Sequence, residues 1–124
     1  MSSSKKIKRK ILGCLTLALT TIASNHIPSA SEAIIGKKIY RERCGVCHGN
    51  QGDGKTFAAN ALFPPPKNFT TRTSKKDLTR KQMILSVTRG RPNTAMMAWE
   101  NILSKHEIYL VVDYIRQVLM GLQK

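Results

Sequence analysis

Two cysteines and a histidine lie close together near the middle of the chain, in the segment Cys44-Gly45-Val46-Cys47-His48. Thiols three positions apart can form thioether bonds with the two vinyl groups of one porphyrin, and the imidazole directly after them can then bind its iron. C-x-x-C-H is the pattern of c-type haem attachment. It predicts one covalently bound haem c, with Cys44 and Cys47 as the thioether residues and His48 as an axial ligand of the iron.

Other uses of a cysteine pair fit the sequence less well than haem attachment. In an oxidising compartment the two thiols could form a disulfide, but the histidine directly after Cys47 favours haem. A thioredoxin-type redox pair prefers a βαβ context, and the sequence shows no such alternation. A structural zinc site needs four ligands. Beyond residue 33 the one further histidine is His106, and there is no second cysteine pair.

The N-terminal segment has the layout of an export signal. A basic block at residues 5–10 precedes an apolar run over residues 11–23, and small and polar residues continue up to position 33. This order predicts a secretory signal peptide over residues 1–33, a single domain over residues 34–124 and a periplasmic location. The run is short for a membrane span, which needs about 20 apolar residues. An uncleaved membrane anchor is the alternative.

The cleavage point stays open between about residues 23 and 33. Three tripeptides place small residues where a signal peptidase needs them: Thr21-Ile22-Ala23, Ser29-Ala30-Ser31 and Ser31-Glu32-Ala33.

The predicted mature chain is strongly basic. Residues 34–124 contain 16 Lys and Arg against 6 Asp and Glu, a net charge of +10. Such a charge favours an acidic protein surface or an anionic membrane as partner, and an exported protein seldom meets nucleic acid. One basic run could be a docking patch for an acidic redox partner or an ordinary solvated surface. It consists of Arg72, Lys75, Lys76, Arg80 and Lys81.

The chain resembles the class I c-type cytochromes over nearly the whole predicted mature chain, from about residue 35 to residue 118. Residues 36–40 match the family's N-terminal helix, and residues 62–69 are similar to its proline-bearing loop. Residues 90–99 resemble the loop that delivers the sixth iron ligand, and residues 114–116 resemble the terminal helix. The resemblance implies an all-α cytochrome c fold, with about three helices and loops around one haem.

The family's Met-bearing pattern, Gly-Thr-Ala-Met-Pro-x-Trp, aligns with residues 93–99 and implies Met96 as the second axial ligand. Methionine with histidine gives a six-coordinate iron of raised potential. Met97 takes the place of the usual proline and is the competing thioether. Met83 and Met120 are expected to pack in helices, and His106 is expected to be solvated.

The remaining pattern is helical and without strand-like alternation. Apolar residues at helical spacing predict a first helix over residues 34–46. Capping boxes formed by Thr79 with Gln82, and by Ser104 with Glu107, each predict the start of another helix.

Residues 49–76 are rich in glycine and proline and are predicted to form an extended loop around the haem. The resemblance implies that a proline carbonyl in this loop, that of Pro65 or Pro66, accepts a hydrogen bond from the proximal histidine.

The favoured function is one-electron transfer between periplasmic or membrane redox proteins, without enzymatic activity. No catalytic carboxylate pair or nucleophile stands out. Two alternatives remain: an enzyme or gas sensor with an open sixth coordination position, and a fixed subunit of a larger oxidoreductase complex.

Overall fold

The computed structural model describes residues 29–123, and this part of the chain is helical with no β-strand. The predicted all-α fold is therefore confirmed. Its elements, in chain order, are α1 (Ala30–Ile39), a first π-helical turn (Tyr40–Cys44), α2 (Gly45–His48), a 3-10 turn (Ala58–Ala61), α3 (Arg72–Asp77), α4 (Arg80–Arg89), α5 (Lys105–Tyr114) and a second π-helical turn (Ile115–Leu119).

Most of the predicted export signal, residues 1–28, lies outside the described residues. Among the helices from residue 29 to residue 123, none is long and apolar enough to cross a membrane.

The first helix begins earlier than predicted, at Ala30 rather than at residue 34. Its first turn contains few apolar residues, so hydrophobic spacing gave no sign of it. A capping box begins this turn instead: the Ser29 hydroxyl accepts a hydrogen bond from the Glu32 amide, and the Glu32 carboxylate accepts one from the Ser29 amide. The helix then continues through the π-helical turn and α2, so that it is unbroken up to His48.

α1 and α4 both pack against α5. The contact between α1 and α5 is close because Gly36 of α1 faces the backbone of Leu110. A methyl group on Gly36 would stand 2.9 Å from the Leu110 carbonyl carbon, well inside van der Waals contact. Further along the same interface the rings of Tyr40 and Tyr114 lie 5.5 Å apart.

The core gathers side chains from the three packed helices and from the segments between them. Its members are Ile39, Tyr40, Phe69, Met83, Val87, Leu103, Ile108, Val111, Val112, Ile115 and Met120. Met83 and Met120 are 6% and 0% exposed, so the expectation that they pack in the interior is confirmed.

Both predicted capping boxes are present. Thr79 with Gln82 begins α4, and Ser104 with Glu107 begins α5. Because each box satisfies two backbone donors that a helix start leaves unpaired, these positions were predictable from local sequence alone.

The predicted extended loop is interrupted by α3 at its end. Thr71 caps this short helix through the amide of Ser74. The Ser74 hydroxyl is buried and donates to the Asn68 carbonyl at 2.5 Å. The segment after α3 is joined to the terminal helix, where Arg116 donates to the Leu78 carbonyl at 2.8 Å.

We expect Gly36→Ala to lower the free energy of unfolding. In an exposed helix this change would stabilise the fold by about 0.5–1 kcal/mol, but overpacking of a tight contact costs about 1–3 kcal/mol. The steric overlap with Leu110 should outweigh the gain in helix stability. We therefore expect the free energy of unfolding, measured by urea denaturation of the purified protein, to fall by up to about 2 kcal/mol. Lys37→Ala, at an exposed neighbouring position, should stay within about 0.5 kcal/mol of the parent. Equal stability of Gly36→Ala and the parent would show that α1 and α5 can separate without cost.

Candidate haem site

The two cysteines lie one helical turn apart, at the end of the first π-helical turn and within α2. They are not joined by a disulfide, and both are half-buried. Burial, with a smaller contribution from Cys47, raises the pKa of the Cys44 thiol to about 11. Reactive redox cysteines have lowered pKa values, so this environment speaks against a thioredoxin-type pair.

The His48 ring is fixed by two contacts. Its Nδ1–H donates to the Lys67 carbonyl at 3.1 Å, and the ring stacks on Phe69 with centroids 4.8 Å apart. Burial lowers the pKa of His48, and the hydrogen bond to Lys67 partly opposes that shift. The imidazole is therefore neutral at neutral pH, with the proton on Nδ1 and the lone pair on Nε2 available to a metal.

The expectation that Pro65 or Pro66 supplies this carbonyl is wrong. The acceptor is the next residue along, Lys67. The register is set by a backbone hydrogen bond of 2.7 Å in which the Phe69 amide donates to the Gly52 carbonyl. That bond joins the proline-bearing loop to the turn after His48, and only the folded chain reveals it.

Backbone hydrogen bonds close the methionine-bearing loop, residues 90–99, at both ends. The Arg91 amide donates to the Met96 carbonyl at 2.9 Å. The Trp99 amide donates to the Val87 carbonyl of α4 at 3.0 Å. Backbone bonds therefore fix both ends of this loop, and side chains add to them: the Met96 amide donates to Thr94 Oγ1 at 3.1 Å.

Gly90 permits this closure. Its φ is +70°, and a Cβ there would stand 2.6 Å from the Met96 carbonyl oxygen. Only glycine combines that backbone conformation with so close an approach. The residue ends α4 and also sets the path of the methionine loop.

The two adjacent methionines face different surroundings. Met96 is half-buried and packs against the core, together with Trp99. The Met97 side chain is 54% exposed. The His106 side chain is 66% exposed, as expected of a solvated imidazole. Of these two adjacent methionines, Met96 is therefore the one whose thioether lies toward the interior.

This donor set fits a haem c. It comprises two unpaired thiols at the attachment spacing, an imidazole with one nitrogen free for a metal, and an inward thioether on a separate loop. Over residues 29–123 there is no cluster of three or more His, Cys, Asp or Glu side chains that could hold a metal ion.

Comparison with known families agrees with this chemistry. The family model for cytochrome c matches residues 33–119. Cytochrome c55X of Stutzerimonas stutzeri is 28% identical over 110 residues, which cover 86% of each chain. A 30-residue segment is 50% identical to thiosulfate dehydrogenase of Stutzerimonas stutzeri strain A1501, covering 24% of this chain and 10% of that enzyme.

Chains of solved structures share the fold. A chain of the Kuenenia stuttgartiensis reducing HAO-like protein complex Kustc0457/Kustc0458 has a TM-score of 0.65 and 29% identity, covering 79% of this chain and 47% of that one. The c-type cytochrome NirC has a TM-score of 0.53 and 24% identity, and the match covers 76% of this chain and 95% of that one. On the family match and these relatives, the chain belongs to the cytochrome c family, whose members carry covalently bound haem c and use it for electron transfer.

Proposed function

We propose that this protein is a monohaem electron carrier that works outside the cytoplasm and passes single electrons between periplasmic or membrane redox partners. The sequence contains one C-x-x-C-H segment, hence one haem. The observation that carries the proposal is the His48 ring, which directs its protonated nitrogen to Lys67 and leaves the other nitrogen free.

The bound haem iron would supply the chemistry, by alternating between its ferrous and ferric states. Cys44 and Cys47 would tether the porphyrin. His48 would ligate the iron, and its hydrogen bond to the Lys67 carbonyl would keep the ring orientation and raise its basicity. Met96 would be the second axial ligand, on a loop held by backbone bonds at both ends. Segments fixed in this way need not move when the electron arrives or leaves.

One cation of the basic patch is engaged within the protein, and four are exposed. The Arg80 guanidinium pairs with the Asp113 carboxylate at 2.6 Å and lies over the Tyr109 ring at 5.3 Å. The exposed cations lie on α3 and on the first turn of α4, and they are Arg72, Lys75, Lys76 and Lys81. We propose these four as the surface that steers an acidic redox partner, since such steering speeds encounter at low salt.

Replacing both cysteines should abolish covalent haem attachment. Expressed in a host that attaches c-type haem, the parent should have the mass of its polypeptide plus one haem and remain coloured after acid extraction. Cys44→Ser with Cys47→Ser should yield a colourless chain with the mass of its amino acids alone. Cys14→Ser, which alters the third cysteine of the sequence, should not change haem content. A colourless parent would end the proposal.

Met96→Ala and Met97→Ala should differ in the spectrum of the ferric protein. Loss of the axial thioether should remove the weak sulfur-to-iron charge-transfer band, lower the potential and give a high-spin iron that binds carbon monoxide. We expect this of Met96→Ala and expect Met97→Ala to resemble the parent. Added imidazole should restore a low-spin spectrum in Met96→Ala, which distinguishes a missing ligand from misfolding.

Two results would contradict this assignment. If Met97→Ala lost the band while Met96→Ala kept it, Met97 would be the ligand. If the unaltered protein were high-spin and bound carbon monoxide readily, the open-site enzyme or sensor would be favoured over the carrier.

Charge reversal on α3 should slow electron transfer at low salt. We expect Lys75→Glu with Lys76→Glu to lower the rate at which host membranes oxidise the reduced protein by about tenfold. The difference should shrink as ionic strength rises. Lys37→Glu with Lys38→Glu makes the same change in net charge on α1 and should have a smaller effect. A rate that does not depend on salt would exclude the patch as a docking surface.

A further inference from the structure

Two phenylalanine side chains lie almost entirely outside the protein. Phe57 and Phe63 are each 95% exposed, more than any other large hydrophobic side chain among residues 29–123. A single apolar side chain on a surface is ordinary, but several large ones close together are typical of an interaction site. This aromatic pair, Phe57 and Phe63, is therefore a candidate contact surface.

The aromatic pair lies beside the helix that carries the haem attachment residues. Phe57 directly precedes the 3-10 turn, and Phe63 follows two residues after its end. The Thr56 hydroxyl joins this turn to α2, because it donates to the Cys47 carbonyl at 3.4 Å and accepts from the Ala59 amide at 3.0 Å. A protein that covers the rings would therefore be close to the residues proposed to tether the haem.

The segment between the two rings is held in place. The Asn60 amide donates to the Phe57 carbonyl at 3.3 Å, and the Leu62 amide donates to the Ala59 carbonyl at 3.1 Å. Ala59 is buried, and three prolines, each of fixed φ, directly follow Phe63. A contact surface that is ordered before binding loses less entropy when the partner arrives.

One partner surface can cover both rings. They are six positions apart in the sequence, and six residues span at most about 22 Å even when fully extended. Burying two phenyl rings removes about 300–500 Å² of surface from water on this side. A stable interface buries about 800 Å² per partner, whereas electron-transfer encounters are smaller. The aromatic pair therefore fits a short-lived complex better than a permanent dimer of this chain.

The segment that carries the rings is uncharged, although the protein is strongly basic. No Asp, Glu, Lys or Arg occurs from Thr56 to Pro66. Anionic lipids and acidic protein surfaces are recognised through Lys and Arg, which this segment lacks. α2 adds one more apolar side chain, that of Val46, which is 64% exposed. The chemistry of this surface therefore favours an apolar protein patch as its partner.

We propose that Phe57 and Phe63 form the contact surface on which an apolar patch of the redox partner protein docks. The exposed cations of α3 and α4 act before contact, by steering the encounter. The aromatic pair acts at contact, by removing apolar surface from water. This inference rests on the proposed electron-carrier function and deepens it, since it names the chemistry of the partner surface where it meets the rings.

The first experiment measures how fast host membranes oxidise the reduced, haem-loaded protein at several salt concentrations. We expect Phe57→Ser with Phe63→Ser to lower the rate by about tenfold. The factor should be the same at low and high salt, because salt screens charges and leaves apolar contacts in place. The effect of Lys75→Glu with Lys76→Glu should instead shrink as salt rises. Phe57→Leu with Phe63→Leu keeps apolar side chains at both positions and should restore most of the rate.

Leu85→Ser with Val118→Ser is the matched control. These side chains are 50% and 60% exposed, on α4 and on the second π-helical turn, so the change removes exposed apolar surface elsewhere on the protein. The oxidation rate should stay that of the parent. The proposal is overturned if the parent and the variant with serine at both ring positions react equally fast, or if the control loses as much rate as that variant.

Hydroxyl-radical labelling of the rings tests the contact directly. In the free haem-loaded protein both rings should be labelled, in line with their exposure. Host membranes should protect them, and protein-free vesicles of the same lipids should not. Rings that are unlabelled in the free protein would lie against the haem or in a dimer of this chain, and protection by the vesicles would assign the rings to lipid. Either result would overturn the inference.

Failure of this inference is distinguishable from failure of the proposed function. If host membranes did not oxidise the parent at all, the electron-carrier proposal would fail, and the labelling would still show whether a membrane protein covers the rings. If membranes oxidised the parent and the variant with serine at both ring positions at the same rate, only the aromatic pair would lose its role.

Discussion

One hydrogen bond, from Nδ1–H of His48 to the Lys67 carbonyl, determines what the site can do. It sets the tautomer of a half-buried imidazole and leaves Nε2 as the free nitrogen. A bond of this kind fixes the ring only if its acceptor cannot drift. The Phe69 amide holds the loop to the Gly52 carbonyl at 2.7 Å, and the Phe69 ring stacks on the imidazole. Two segments that are distant in sequence thereby act as a single support for the His48 ring.

The loop that carries Met96, the proposed second ligand, is also held mainly by its backbone. The methionine loop is held by main-chain bonds at Arg91 and Trp99, and Gly90 makes the close backbone approach that lets these bonds form. Neither support depends on long, flexible side chains, whose ordering costs entropy. Side chains supported in this way can keep their positions in both oxidation states of a bound iron, as the proposed electron transfer requires.

Features that depend on local chemistry were predictable from the sequence, whereas features that depend on register between distant segments were not. The C-x-x-C-H segment and the capping boxes at Thr79 and Ser104 can be read from a few neighbouring residues, and α4 and α5 begin where those boxes predict. The Lys67 acceptor was missed because any carbonyl of the proline-bearing loop was equally available until the bond between Phe69 and Gly52 was known. The early start of α1 was missed because the prediction used hydrophobic spacing alone, although Ser29 and Glu32 have the same capping-box signature as Ser104 and Glu107.

The two π-helical turns show why helical periodicity alone could not place the cysteines. Tyr40 and Tyr114 face each other across the α1–α5 interface, and directly at or after each of them the helix widens to a π-helical turn. The Gly45 amide donates to the Tyr40 carbonyl, and the Met120 amide to the Ile115 carbonyl, each five residues back.

Each wider turn inserts an extra residue and rotates the next part of the helix relative to the preceding apolar stripe. Tyr40 can therefore stay buried against α5, with its hydroxyl on the Gly49 carbonyl at 2.7 Å, while the His48 ring turns toward the loop that contains Lys67. The packing of Tyr40 and the orientation of His48 are thus set separately, although one continuous helix carries both residues.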